Sequence, residues 1–134
     1  ARILLAEDNA VNVEVVLELL QSVDIDVTVA TNGKQALDAA LREKFDLVLM
    51  DVQMPQMNGI EATVAIRGLS GWERIPIVAL TANAFAEDRR ACTEAGMNDV
   101  ITKPVDPERL YATLEHWLSR TVERTASSPS IAAV

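Results

Sequence analysis

The sequence predicts an α/β fold, a doubly wound sheet of five parallel strands flanked by five helices, and three observations predict it. Five short apolar runs alternate with longer stretches of helical period along the 134 residues. Successive βα units need crossover connections, which are right-handed and place helices on both faces of a parallel sheet. The third run, Leu47-Val-Leu-Met50, is apolar throughout, as a central strand covered on both faces should be, whereas the second and the brief fifth run read as edges.

The elements follow in order. Ile3–Ala6 is the first strand, and the helix after it places Val13, Val16, Leu17 and Leu20 along one stripe. Val27–Ala30 is the second strand; Asn32-Gly33 starts a helix whose inner face is Ala36, Leu37, Ala40 and Leu41. Leu47–Met50 is the third strand, and Asn58-Gly59 opens a shorter helix that leaves through Gly68 to Gly71. Ile77–Leu80 is the fourth strand, and a helix over about Ala84 to Ala95 stops at Gly96, a residue suited to a left-handed cap. Val100-Ile101 is the fifth strand. Asp106-Pro107-Glu108 then begins a helix with an N-cap oxygen, a fixed φ and an acid at the positive helix end, and Leu110, Leu114, Trp117 and Leu118 form its inner face.

Composition narrows the function. Hydrophobic residues make up 49% and charged residues 24%, which excludes wholesale disorder. Twelve basic against 20 acidic residues give a net charge of −8, which opposes direct binding to nucleic acid or an anionic membrane. The single Cys92 and single His116 exclude an internal disulfide and a zinc site built on them, and a reducing compartment is expected. No signal peptide or membrane-length apolar run is read, and a start without Met reads as an excised or trimmed piece, with processing as the alternative. The small, polar residues 120–134 read as a tail or linker.

Chemistry collects where strands end. Glu7-Asp8 follows the first strand, Asp51 the third, Thr81 the fourth and Lys103-Pro104 the fifth. In an open parallel sheet these carboxyl ends share one edge, where ligands bind. Any one of them alone has a plain structural reading, Thr81 as the cap or turn residue before the fourth helix included. Together the carboxylates Glu7, Asp8 and Asp51 would repel one another, and a divalent cation relieves that; oxygen ligands without His or Cys suit Mg²⁺. An ionised Asp51 is a nucleophile toward phosphorus that needs no general base, Lys103 offers positive charge to the transferring oxygens, and Thr81 offers a hydroxyl.

Glu7-Asp8-Asn9, Leu49-Met-Asp-Val-Gln-Met-Pro-Gln-Met-Asn-Gly59, Ala79-Leu-Thr-Ala82 and Thr102-Lys-Pro104 together resemble the receiver domain of two-component response regulators, over residues 1–119. The resemblance implies the flavodoxin-like strand order 2-1-3-4-5. It implies phosphotransfer from a phosphohistidine to Asp51, with Glu7, Asp8, Asp51 and the backbone carbonyl of Gln53 holding Mg²⁺, Lys103 contacting the phosphoryl group, and Thr81 moving toward it. It also implies a cis Lys103-Pro104 peptide. The partners it implies are a histidine kinase or a histidine phosphotransfer domain, with a homodimer allowed. Leu80-Thr-Ala-Asn-Ala-Phe85 and Gly96-Met-Asn-Asp99 are most similar to receivers inside hybrid sensor histidine kinases, which implies a cytoplasmic domain whose parent protein is anchored in the inner membrane. A stand-alone regulator is the alternative. One departure stands out: Val100 occupies the place of the family's usual aromatic switch residue, so the response is expected to be smaller or to run through Ala82-Asn83 and the fourth helix. The phosphoryl lifetime is tuned in this family at the positions of Gln53 and Asn83.

Two rivals share parts of the pattern. A phosphatase of the haloacid-dehalogenase type also uses a strand-end Asp with Mg²⁺, but needs a second acid where this chain has Gln53. A flavodoxin-like cofactor binder needs amides and hydroxyls after the first strand, where this chain has Glu7-Asp8. Of the other residues, His116 reads as a cation near a helix end, Cys92 as a small core or half-buried residue, Met54 and Met57 as packing for their loop, and Trp72 as partly exposed.

Overall fold

The computed structural model describes residues 2–54, 57–82 and 86–119, of which 86–88 by backbone alone. Strands β1 (Arg2–Ala6), β2 (Asp26–Ala30), β3 (Leu47–Asp51), β4 (Ile77–Thr81) and β5 (Asp99–Thr102) alternate with helices α1 (Ala10–Gln21), α2 (Gly33–Arg42), α3 (Gly59–Arg67), α4 (Ala86–Ala95) and α5 over 107–119. All pairings are parallel, in the order β2-β1-β3-β4-β5. The expected architecture and edge strands are therefore found. The tail expected over 120–134 and the start of the fourth helix at Ala84 lie outside the described residues.

Strand pleating divides the core in two, because successive side chains point to opposite faces. Ile3, Leu5, Leu47, Leu49, Val78 and Leu80 pack with Val16 and Leu20 of α1 and Leu110 and Leu114 of α5. Leu4, Ala6, Val48, Met50, Ile77 and Ala79 face the other way, toward α2, α3 and α4. β3 and β4 are buried along their whole length, as central strands should be.

Caps set the helix ends. Asn9 accepts from the amides of Val11 and Asn12, Asn32 from that of Gln35, and Asn58 shares a reciprocal capping box with Glu61. Gly96 ends α4 with φ +108°, and the next amide, on Met97, returns to the Cys92 carbonyl at 3.0 Å.

Some expected faces are turned. In α1 it is Leu19, not Leu17, that joins Val13, Val16 and Leu20 against the sheet, because α5 packs on that side and Tyr111 donates to the Leu19 carbonyl at 2.8 Å. In α2 Leu41 is 62% exposed and Ala39 is buried instead. That stripe is rotated toward the loop after α3, where Trp72 Nε1 donates to the Ala40 carbonyl at 3.2 Å. Trp72 itself, expected to be partly exposed, is buried against Phe45. Cys92 is buried, and Met54 and Met57 pack against the core as expected.

Candidate functional site

Sheet register gathers the acidic residues before any side chain is considered. Ala6 pairs with Met50, so the next residues, Glu7 and Asp51, leave the sheet edge side by side. Thr81 pairs with Thr102, which sets Lys103 one residue beyond; its amide donates to the Thr81 carbonyl at 2.7 Å, and the Lys103-Pro104 peptide is cis. Gly59 lets the loop after β3 fold back here, since a Cβ at that position would lie 2.1 Å from the Asp51 carbonyl oxygen.

Lys103 is the hub of the site. Its ammonium lies 2.9 Å from Glu7 Oε2 and 3.1 Å from Asp51 Oδ2. Glu7 is fully buried, and its Oε1 accepts from Lys103 Nζ at 3.2 Å, from Asn12 Nδ2 at 3.1 Å and from the Asn9 amide at 3.3 Å. Its Oε2 accepts no hydrogen bond and faces the ammonium alone as an ion pair. Asp51 Oδ1 accepts from the Gln53 amide at 3.2 Å.

One ammonium does not balance this much buried negative charge. Burial and, after it, the Glu7 charge push the Asp51 carboxyl up to about 6, although the Lys103 ammonium and the Gln53 amide pull the other way. Burial alone would lower Lys103, but its hydrogen bonds to Glu7 and Asp51 and their charges outweigh that and raise it. At neutral pH Asp51 is mostly ionised and Lys103 charged.

The residues fit a hard divalent cation. Glu7, Asp8 and Asp51 each present a carboxylate oxygen within 4.8 Å of the others, and Asp8 is exposed to solvent. The donors are all oxygens, and Glu7 Oε2 is a buried acceptor with no hydrogen bond. These groups line an open cleft of about 380 Å³ together with Asn9, Asn12, Gln53, Ala82 and Lys103. Thr81 is buried at the end of β4 and does not line the cleft; Ala82 does. Thr81 is the last residue of β4, and the approach from it to α4 runs through residues 83–85, so the reading of Thr81 as a cap or turn residue before that helix falls outside the described residues. Val100 is half-buried and packs toward α2, α3 and α4. Asn83 lies outside the described residues.

Asn12, which lines the cleft and touches Glu7, is not marked out by its sequence context. The available signal was weak: an asparagine inside the first turn of a helix, where amides are poor helix formers, a little over one turn past the strand-end acid Glu7.

Comparison with known proteins gives one consistent result. The family described as response regulator receiver domain matches residues 3–115. The chain is 39% identical to hybrid signal transduction histidine kinase I of Dictyostelium discoideum, covering 97% of this chain and 8% of that protein. It is 40% identical to the sensor protein GacS of Pseudomonas syringae pv. syringae, covering 93% of this chain and 14% of that protein. It thus spans a small part of these relatives. Among solved structures it is similar to the receiver domain of sensor histidine kinase PA1611 from Pseudomonas aeruginosa PAO1, whose active-site cleft coordinates a magnesium ion: TM-score 0.83, 42% identity, 88% of this chain and 97% of that one. It is also similar to a structure pairing the Saccharomyces cerevisiae histidine phosphotransfer protein Ypd1 with the receiver domain of the response regulator Ssk1, with TM-score 0.81, 31% identity and 87% of each chain.

Proposed function

Because this chain belongs to the response regulator receiver domain family, we propose that it accepts a phosphoryl group on Asp51 from a phosphohistidine, with Mg²⁺ held by Glu7, Asp8, Asp51 and the Gln53 carbonyl. The observation that carries this reading is Lys103, fixed between the buried carboxylates of Glu7 and Asp51 at the floor of an open cleft.

In the transfer, an Asp51 carboxylate oxygen forms a bond to phosphorus in line with the departing imidazole nitrogen. The phosphorus–nitrogen bond breaks, and its electron pair stays on the imidazole, which takes a proton from solvent. The Gln53 amide holds one Asp51 oxygen and so orients the carboxylate. Lys103 sits within reach of the same carboxylate and offers its charge to a phosphoryl oxygen. Mg²⁺, when bound, neutralises charge on the equatorial phosphoryl oxygens and on the carboxylates around it. Thr81 donates its hydroxyl to a phosphoryl oxygen only after it moves toward the cleft, which makes β4 and the chain after it the output. With Val100 in β5 the aromatic part of the family's usual switch is absent.

The similarity to receivers of hybrid kinases supports a parent protein of that kind; on this reading residues 1–119 are its receiver unit, this domain lies in the cytoplasm and the parent is anchored in the inner membrane. No helix of the described residues is long and apolar enough to cross a membrane. The neighbouring structure with a phosphotransfer protein supports a histidine phosphotransfer domain or kinase as the partner. Incubation with acetyl phosphate and Mg²⁺ tests the core of the proposal. Intact mass should rise by one phosphate, the adduct should be labile to base, and Asp51→Asn should remove it; an adduct that persists in Asp51→Asn overturns the assignment.

A further inference from the structure

We infer that Asn12 is a positioning residue for the metal site: its amide fixes the roll of the Glu7 carboxylate so that Oε2, and not Oε1, is presented to the cation. This rests on the reading of Glu7, Asp8 and Asp51 as ligands. The asymmetry between the two Glu7 oxygens is the evidence. Oε1 collects every hydrogen bond the side chain makes, from the Asn9 amide, Asn12 Nδ2 and Lys103 Nζ, while the buried Oε2 accepts none and meets only the Lys103 ammonium, as an ion pair at 2.9 Å. Three donors on one oxygen define which way the carboxylate turns, and the other oxygen, held only by an ion pair that a divalent cation can take over, is the one presented.

The three donors are not equivalent. Lys103 also engages Asp51 and is the group that follows a phosphoryl oxygen, so its hold on Glu7 weakens when the site is in use. The Asn9 contact is long, at 3.3 Å, and that residue's side chain is committed to capping α1. Asn12 is the remaining side-chain donor, standing on the first turns of α1 and lining the cleft. A neutral amide also suits this role, since a lysine in its place would bring the same hydrogen bond but a charge that opposes the cation.

The test is a calorimetric titration of MgCl₂ into the whole chain, with Asn12→Ala beside the natural sequence. Removing a group that orients a metal ligand should raise the Mg²⁺ Kd about tenfold. At saturating Mg²⁺ the rate of labelling by acetyl phosphate should return to within about twofold of the natural chain, because Asp51 and Lys103 are untouched; this split separates positioning from a merely structural role. A change in Kd below threefold, or a lost maximal rate at unchanged Kd, overturns the inference. Should Asn12→Ala melt early, Asn12→Ser, whose hydroxyl is too short to reach Glu7, replaces it with the same expected outcomes. Failure of the wider reading looks different: a natural chain that binds Mg²⁺ but takes no phosphate on Asp51 sinks phosphotransfer and leaves the Kd comparison intact, and a natural chain that binds no Mg²⁺ sinks both.

Discussion

The two ends of the sheet handle buried charge in opposite ways. At the amino end, the half-buried guanidinium of Arg67 donates to the carbonyls of Gly96, Trp72 and Ile75 and to Asn98 Oδ1. Asn98 Oδ1 in turn accepts from the Ile77 amide at 2.9 Å. Every direction of the guanidinium fork is met, and one side chain ties the end of α3, the loop before β4 and the turn after α4. At the carboxyl end one ammonium serves two buried carboxylates, an oxygen of Glu7 lacks a hydrogen bond, and Asp51 is held above the usual carboxylate range. The first end is complete as folded; the second keeps charge and a buried acceptor unmet. Stability and function are thus placed at opposite edges of the same strands.

The largest effect expected from this contrast is at Arg67. Arg67→Ala strands several carbonyls that water reaches poorly, and should lower stability by about 4 kcal/mol in urea unfolding, with or without Mg²⁺. At the other end, Lys103→Ala leaves Glu7 and Asp51 without their counter-charge, a loss of about 3 kcal/mol in chelator. The raised Lys103 contributes below its ordinary range for as long as the carboxylates it pairs with stay ionised, so the loss is present at neutral pH and shrinks as Asp51 protonates around 6. The two variants should part company when Mg²⁺ is added: it should recover most of the loss in Lys103→Ala and none in Arg67→Ala. Lys103→Ala should also impair the phosphorylation-dependent response more than Mg²⁺ affinity. Equal rescue of both variants would erase the distinction between the ends.

The carboxyl end was the more legible of the two in the sequence. Strand-end position is a local property, and register in a parallel sheet then brings Glu7, Asp51 and Lys103 together without further information. The amino end was not legible. Arg67 acts across a separation of 29 residues to Gly96, and Trp72 across 32 to Ala40, and neither distance leaves a periodic trace. Trp72 therefore read as a partly exposed loop residue when it is core. The turned helix faces have a related cause. Leu17 and Leu41 fit the helical period, but which stripe is buried is decided by neighbours, α5 for α1 and the Trp72 loop for α2. Asn12 left only a weak sequence mark because its partner matters more than its spacing. Thr81 was placed correctly at a strand end, where it is buried and outside the lining of the cleft.

A smaller effect, of opposite sign, is expected at Asp51. Its folded pKa of about 6 stands above the ordinary 3.8, so ionisation of this group opposes folding. The sign follows directly: the penalty is absent below pH 3.8, grows between 3.8 and 6, and is complete above 6. In chelator Asp51→Asn should therefore be more stable than the natural chain by about 2 kcal/mol near neutral pH. The gain should fade as pH falls toward about 4. Thermal melts across that range check it. A variant less stable at neutral pH would mean that the carboxyl end is as settled as the amino end.

The smallest expected effect sharpens the comparison from the amino side. Trp72→Phe keeps an aromatic ring against Phe45 but removes the Nε1 donor to the Ala40 carbonyl. The ring is also smaller, so a small void joins the unmet carbonyl, and together they should lower stability by about 1 kcal/mol. The position lies on the loop between α3 and β4, away from the acidic cleft, and is not among the residues that line that cleft with Glu7, Asp51 and Lys103. Mg²⁺ affinity and the labelling of Asp51 by acetyl phosphate should stay within twofold of the natural chain. A variant that lost labelling along with stability would show that the two edges are coupled through the strands, and that the settled end helps to set the geometry of the charged one.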